Sequence, residues 1–340
     1  MLEEGKRLRA FEIWRMKMKT IDVTALGEIL IDFTQNGLSE QGNPLLEMNP
    51  GGAPCNVLAM LRKFDRNVAF IGKVGDDNFG WFLKEKAKKL GIDISNLSFD
   101  KDVHTTLAFV HNGEDGDRDF TFCRNPGADM QLNEQEVNEE VIKQSRIFHF
   151  GTLSMTHEGV RNATKKALTI AKSNDCLISF DPNIREPLWE NLEEARKQVE
   201  VGLSYCDILK ISDNEIQWLT GEEDYSKGVK KIRDKYPIKL ILVSMGDKGS
   251  RAYYEEDMIE VRAFKNEQTI ETTGAGDTFC GCVLQYILDY GLKELTKEQL
   301  AEMLTFANAA ASLITTKKGA LCSMPEIFEV DEFISSPKFT

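Results

Sequence analysis

Thr272-Thr273-Gly274-Ala275-Gly276-Asp277 sets three small residues before a carboxylate, and an apolar helical pattern runs on from Thr278 to Tyr290. Small residues let backbone N–H groups converge on an anion without side chains in the way. A helix start adds donors that have no intrahelical acceptor and the positive end of the dipole. Phosphate oxygens suit such a place. Asp277 beside it is positioned to take a proton from an incoming hydroxyl. These are the minimal parts for moving a phosphoryl group from a nucleotide to an alcohol. Taken alone, the same segment also reads as an ordinary helix with an Asp in its first turn.

Other chemistry-bearing residues fall where strands are expected to end, the place where open α/β sheets bind ligands. Asp32 closes the first expected strand, and Gly51-Gly52-Ala53-Pro54 leads into a helix bearing Asn56. The Gly pair permits backbone approach to a ligand, and Asp32 and Asn56 offer oxygens to sugar hydroxyls. Asp181-Pro182-Asn183-Ile184-Arg185, Ser212-Asp213-Asn214-Glu215 and Ser244-Met245-Gly246-Asp247 follow three further strands. Arg124 ends a hairpin strand and reads either as a residue that drops onto substrate or as a solvated charge. Arg185 has the same two readings. Glu215 reads as an organiser of Mg²⁺ through water, or as the acidic first turn of a helix.

Several familiar devices are absent. There is no GxxxxGK[ST], H-E-x-x-H, GxSxG or paired Cys/His metal spacing, and Gly274-Ala275-Gly276 lacks the third Gly of a dinucleotide fingerprint. The four His are scattered and read as structural or exposed.

Positioning these residues takes an alternating scaffold. Strands are expected at Val23–Phe33, Val68–Val74, Thr105–Val110, Asp119–Arg124, Arg146–Gly151, Cys176–Asp181, Ile208–Ile211 and Leu240–Ser244, with a hairpin of Arg251–Tyr254 and Ile259–Phe264. Helices are expected at Asn56–Phe64, Phe79–Leu90, Gln135–Gln144, Glu158–Ser173, Leu192–Leu203, Ala275–Tyr290 and Lys297–Thr315. The rhythm predicts an α/β fold with a doubly wound, mostly parallel sheet flanked by helices. Two hairpin-rich pieces, about 34–50 and 104–124, break it and read as a small β-sheet lid whose exposed edges would suit a homodimer.

The chain has 340 residues, a net charge of −13 and 41% hydrophobic residues, which supports a large core and argues against a nucleic-acid surface. Seven Cys without CxxC spacing read as reduced thiols of a cytoplasmic protein. No apolar run has membrane-spanning length. Residues 1–19 read as an extension before the first strand, and 20–340 as a single domain with its lid.

As a set, these segments resemble the ribokinase/PfkB family of carbohydrate kinases, from about Asp22 to Ile334. Gly51-Gly52-Ala53-Pro54-Cys55-Asn56 and Thr272–Asp277 match its two signatures in order. Gly27–Phe33, Phe122–Met130, Asp181–Arg185 with Leu188-Trp189, and Phe306–Ala310 followed by Thr316–Ala320 resemble its fructokinase members. The resemblance implies a ribokinase-like fold, ATP and Mg²⁺ as cofactors, and a sugar as the small-molecule partner. It implies Asp277 as base, backbone N–H groups of Gly274, Ala275 and Gly276 as anion hole, and Asp32, Gly52, Asn56, Arg124 and Arg185 around the sugar. Ser244, Gly246 and Asn308 would face the nucleotide, and Glu215 matches the glutamate of an Asn-x-x-Glu element tied to Mg²⁺. Ser212 departs from the Asn of that element. Glu271 departs from the usual Asp at a position that helps build a monovalent-cation site, so K⁺ dependence stays open. The expected reaction is phosphorylation of D-fructose at O6. A 2-keto-3-deoxygluconate kinase, with Arg124 and Arg185 clamping a carboxylate, and a catalytically silent sugar or nucleotide sensor are the alternatives.

Overall fold

A computed structural model of the chain describes residues 19–112 and 118–336. The expected amino-terminal extension therefore lies outside the described residues up to residue 18, as does the tip of the lid hairpin. Lys19, assigned to that extension, belongs to the fold. Its ammonium donates to the carbonyls of Ser145 at 2.9 Å and Asn174 at 2.7 Å.

In chain order the elements begin with β1 (Ile21–Leu26), β2 (Leu30–Leu38), β3 (Pro44–Gly51), α1 (Ala53–Lys63), β4 (Val68–Gly75), α2 (Asn78–Lys89), β5 (Asp93–Asp100), β6 (Leu107–Asn112) and β7 (Arg118–Cys123). There follow α3 (Glu139–Lys143), β8 (Ser145–Gly151), α4 (Glu158–Ser173), β9 (Leu177–Asp181), α5 (Leu192–Tyr205), β10 (Ile208–Ser212), α6 (Asp213–Thr220) and α7 (Tyr225–Lys235). The chain closes with β11 (Leu240–Ser244), β12 (Ser250–Tyr254), β13 (Asp257–Val261), α8 (Ala275–Tyr290), α9 (Lys297–Ile314) and α10 (Ile327–Ile334). Nine strands form one sheet in the order β13-β12-β11-β10-β9-β8-β1-β4-β5, parallel except for the β12–β13 edge. Four strands form a second sheet, β3-β2-β6-β7. The α/β architecture read from the sequence is the one present.

The main departure concerns the first strand. Val23–Phe33 is not one strand but two, because the chain leaves the large sheet after Leu26 and enters the small one at Leu30. Gly27 makes the corner: a side chain there would meet Pro54 Cγ at 2.5 Å. Asp32 consequently sits inside a strand of the small sheet rather than at the end of the first strand. The expected helix Gln135–Gln144 is broken, with a 3₁₀ turn at Glu134–Glu136 and a fresh start at Glu139, where the Asn138 side chain accepts from Glu140 N.

The central strands are buried on both faces, as a covered parallel sheet requires; every residue of β4 is buried. On one face α1, α8 and α9 pack Val57, Phe279, Leu284 and Leu304 into the core; on the other, α4 and α5 cover Phe148, Phe150 and Phe180. Each such side chain stabilises the fold by roughly 1.5–3 kcal/mol. Helix α8 is buried continuously from Asp277 to Leu284. Gly281 lets it close on α1, since a Cβ there would lie 2.7 Å from Met60 Cβ.

Candidate active site

Gly274 caps α8 in the left-handed region, with φ 78°, and a Cβ on it would lie 2.6 Å from that of Ala320. Both facts call for glycine. Asp277 is therefore the third residue of a helix locked in the core. It is 9% exposed, and its Oδ2 accepts a hydrogen bond from Asn56 Nδ2 at 2.8 Å. Burial raises its pKa above the ordinary carboxylate range, opposed by the Asn56 hydrogen bond and by the charges of Lys210 and Arg185.

Asn56 reaches Asp277 because α1 begins tightly. Gly52 has φ 120°, and a side chain there would run into the Glu28 carbonyl. One on Gly51 would collide with the Asp32 carboxylate. Glu28 Oε1 accepts from Ala53 N at 2.9 Å and holds the start of a helix that has no side-chain cap of its own. Asn56 Oδ1 is buried without a hydrogen-bond partner. A ligand hydroxyl is the donor such an acceptor is built for.

These groups open onto a cavity of about 560 Å³, lined among others by Asp32, Gly52, Asn56, Arg185, Glu271, Gly274, Gly276 and Asp277. It gathers most of the residues expected to bind sugar and phosphoryl. Asp32 is pushed up to about 7, by burial first, with Asp277 and Glu271 adding to the effect and Arg185 opposing it. Glu271 Oε1 accepts from Gly319 N at 2.7 Å and ties this wall to the segment after α9.

Other expected residues lie elsewhere. Arg124 is neither in this cavity nor solvated. It is 6% exposed, with its guanidinium paired to Asp129 Oδ2 at 2.7 Å and donating to Leu153 O at 3.0 Å and Thr156 Oγ1 at 3.1 Å. Asn308 is buried and structural in its contacts. It accepts from Ser250 Oγ at 2.9 Å and donates to the carbonyl of Val261 at 3.1 Å. Ser244 ends β11 between Ser212 and Ser250, and Gly246 lies just beyond it, exposed, with φ 56°. Ala275 does not line the cavity, and its N–H turns back to Thr272 O at 3.2 Å.

Glu215 borders an adjoining cavity of about 310 Å³. Its carboxylate accepts from Ser212 N at 2.9 Å and Ile184 N at 2.8 Å, closing a capping box on α6. Among the described residues no group of three or more His, Cys, Asp or Glu gathers that could hold a metal ion. The donor set fits a Mg²⁺ carried by nucleotide phosphates and water rather than one caged by protein.

Sequence reasoning gave no site role to Glu28, Lys210 or Phe122, which also line the cavity that holds Asp277. Burial pushes Glu28 up to about 7. Lys210 stands in β10 with its ammonium 3.0 Å from Asp181 Oδ2. Glu28 and Lys210 each have a visible signal, a lone charge inside an apolar run, Gly27-Glu28-Ile29-Leu30 or Ile208-Leu209-Lys210-Ile211. Of the four His, His149 is buried and neutral, pushed down to about 3 by burial and by Lys210. All seven Cys are free thiols, and no described helix is long and apolar enough to cross a membrane.

The chain is similar to known proteins in sequence and in fold. A probable fructokinase-2 of Arabidopsis thaliana is 40% identical over 314 residues, spanning 92% of this chain and 95% of its own. The fructokinase of Xylella fastidiosa, solved with bound ATP, superposes with a TM-score of 0.84 at 28% identity, over 93% of this chain and 98% of its own. A Vibrio cholerae fructokinase variant, solved with fructose, ADP and potassium ion, superposes with a TM-score of 0.82 at 27% identity, over 93% and 99%. Residues 20–327 match the description "pfkB family carbohydrate kinase", and the chain belongs to that family.

Proposed function

We infer that the chain is an ATP-dependent fructose kinase, a phosphotransferase with an alcohol acceptor that uses ATP and Mg²⁺. The observation that carries the chemistry is the buried Asp277 carboxylate, hydrogen-bonded to Asn56 inside a cavity that also holds Asp32 and Arg185. In our reading D-fructose binds with O6 toward Asp277. The unpartnered Asn56 Oδ1 and the Asp32 carboxylate accept sugar hydroxyls. Asp277 takes the O6 proton as oxygen attacks the γ-phosphorus, the bond to the bridging oxygen breaks, and ADP departs. Backbone at Gly274 and Gly276 faces the transferring group. Mg²⁺, when bound, offsets phosphate charge.

The small sheet is the proposed lid, which keeps water from competing as acceptor. Leu38, Leu45 and Leu46 are exposed on β2 and β3, and this supports the homodimer proposed through that sheet. Glu271 beside Gly319 is the proposed contributor to a K⁺ site, and the seven free thiols support a cytoplasmic location. A carboxylate clamp for 2-keto-3-deoxygluconate would need Arg124, which Asp129 already engages. This favours a neutral hexose.

The test is ADP release with Mg·ATP against fructose, 2-keto-3-deoxygluconate, ribose, glucose and adenosine, each with and without K⁺, with the product identified by NMR. Fructose 6-phosphate should dominate. A dominant keto-acid signal would overturn the acceptor, and no turnover with any acceptor would overturn the kinase reading.

A further inference from the structure

Lys210 is placed where the reading above has assigned no side-chain donor to the transferring phosphoryl group. It lines both the sugar cavity and the adjoining one beside Ser212 and Glu215. A methyl group on Gly276 would lie 3.1 Å from its Nζ, so the ammonium faces the backbone at the start of α8, one residue before Asp277. The side chain is 8% exposed and its partner Asp181 5%, with Nζ to Asp181 Oδ2 3.0 Å and to Oδ1 3.2 Å. Among the described residues Asp181 is the ammonium's one partner, although an ammonium has three N–H donors.

A buried ion pair is a poor way to stabilise a core, since a well-packed apolar pair does as well or better. This pair also departs from its surroundings, because Leu209 and Ile211 on either side are fully apolar and buried. Burial opposes the charge, and the carboxylates of Asp181 and Glu215 outweigh it, so the ammonium stays protonated with its pKa above the ordinary value. A fixed, dehydrated positive charge beside a helix start is worth most when negative charge arrives there.

We propose that Lys210 is a catalytic residue that donates to the oxygens of the γ-phosphoryl group as it crosses from nucleotide to sugar, and that Asp181 is the positioning residue that aims it. The proposal rests on the kinase reading. Lys210 keeps its proton throughout. The bond formed joins the sugar oxygen to phosphorus, the bond broken joins phosphorus to the bridging oxygen of ADP, and the hydroxyl proton goes to Asp277.

Lys210→Met should lower kcat about 10²–10³-fold, the loss seen when one transition-state donor is removed, with KM for fructose within a few-fold of wild type. Lys210→Arg should recover part of it. Asp181→Asn should lower kcat while KM for fructose holds, and Asp181→Glu should restore part. Because Lys210→Met leaves Asp181 unpaired, the double variant Lys210→Met/Asp181→Asn provides the neutral control, with a melting temperature near wild type and kcat still low. Calorimetry adds a readout that folding does not move. Lys210→Met should bind Mg·ADP with fructose as wild type does, yet lose the extra affinity that aluminium fluoride confers. Wild-type turnover in Lys210→Met, recovery of kcat in the double variant, or retained aluminium-fluoride affinity would each overturn the proposal. Absence of turnover in the wild-type protein would overturn the kinase reading instead.

Discussion

Asn56→Ala isolates what a single hydrogen bond does to the proposed base. Asn56 Nδ2 donates to Asp277 Oδ2 at 2.8 Å in a buried setting. A hydrogen bond to a charged group contributes about 1.5–3 kcal/mol, and its loss removes a stabilisation of the ionised carboxylate and so moves the Asp277 pKa further up. The direction follows from the causes: burial already raises this carboxyl, and Asn56 is the leading influence holding it down. A base must be ionised, so activity falls as pH drops through its pKa. The acid limb of kcat/KM for fructose should therefore move to higher pH, and the variant should lose far more activity at about pH 6 than at about pH 9. The assay is coupled ADP release at saturating Mg·ATP across that range, with a thermal melt at each end to confirm folding. A uniform loss at every pH, with the acid limb where wild type has it, would refute the reasoning. Asn56 would then serve the sugar alone, or Asp277 would not be the titrating base.

Three further outcomes are expected. Asp277→Asn should lower kcat about 10²–10⁴-fold while calorimetric affinities for fructose and ATP change only a few-fold. Glu28→Gln keeps the acceptor for Ala53 N and removes a carboxyl pushed from 4.5 up to about 7. A raised acid stabilises the fold below pH 4.5 and loses that contribution as pH rises through about 7, by at most roughly 3 kcal/mol. The variant's melting temperature should thus fall less between those two pH values than wild type's. Arg124→Ala leaves Asp129 buried and unpaired, so denaturant melts should show a loss of about 3–5 kcal/mol; KM for fructose should stay at the wild-type value in the fraction that folds.

What could be read without coordinates follows from how local each signal is. Gly52 and Gly274 announce themselves as glycines in runs of small residues directly before a helical pattern, and their backbone angles and close neighbours supply the physical reason. Helices Glu158–Ser173 and Ala275–Tyr290 carry their periodicity and end signals within themselves. The corner at Gly27 was invisible because an apolar run looks the same in one sheet or two. Strand β5 (Asp93–Asp100) was missed because an edge strand with Asp93, Ser95, Asn96 and Ser98 shows little apolar alternation. Helix α6 is too short to show periodicity, and only the second reading of Glu215, the acidic first turn of a helix, points to it; the Ser212–Glu215 capping box is what starts it. The burial of Arg124 and Lys210 was hidden for one reason. The carboxylates that bury them, Asp129 in a following turn and Asp181 on the neighbouring strand, become partners only once the chain is folded.

The bond between Asn56 and Asp277 joins residues 221 positions apart. At about 5–20 residues per second, a ribosome needs roughly 10–45 s to get from one to the other. Throughout that interval α1 has been made, and the helix that covers it at Met60 has not. Met60, fully buried in the finished protein, lacks that cover on the nascent chain. The proposed active site is thus completed only once α8 has been made, and until then α1 stands without that cover.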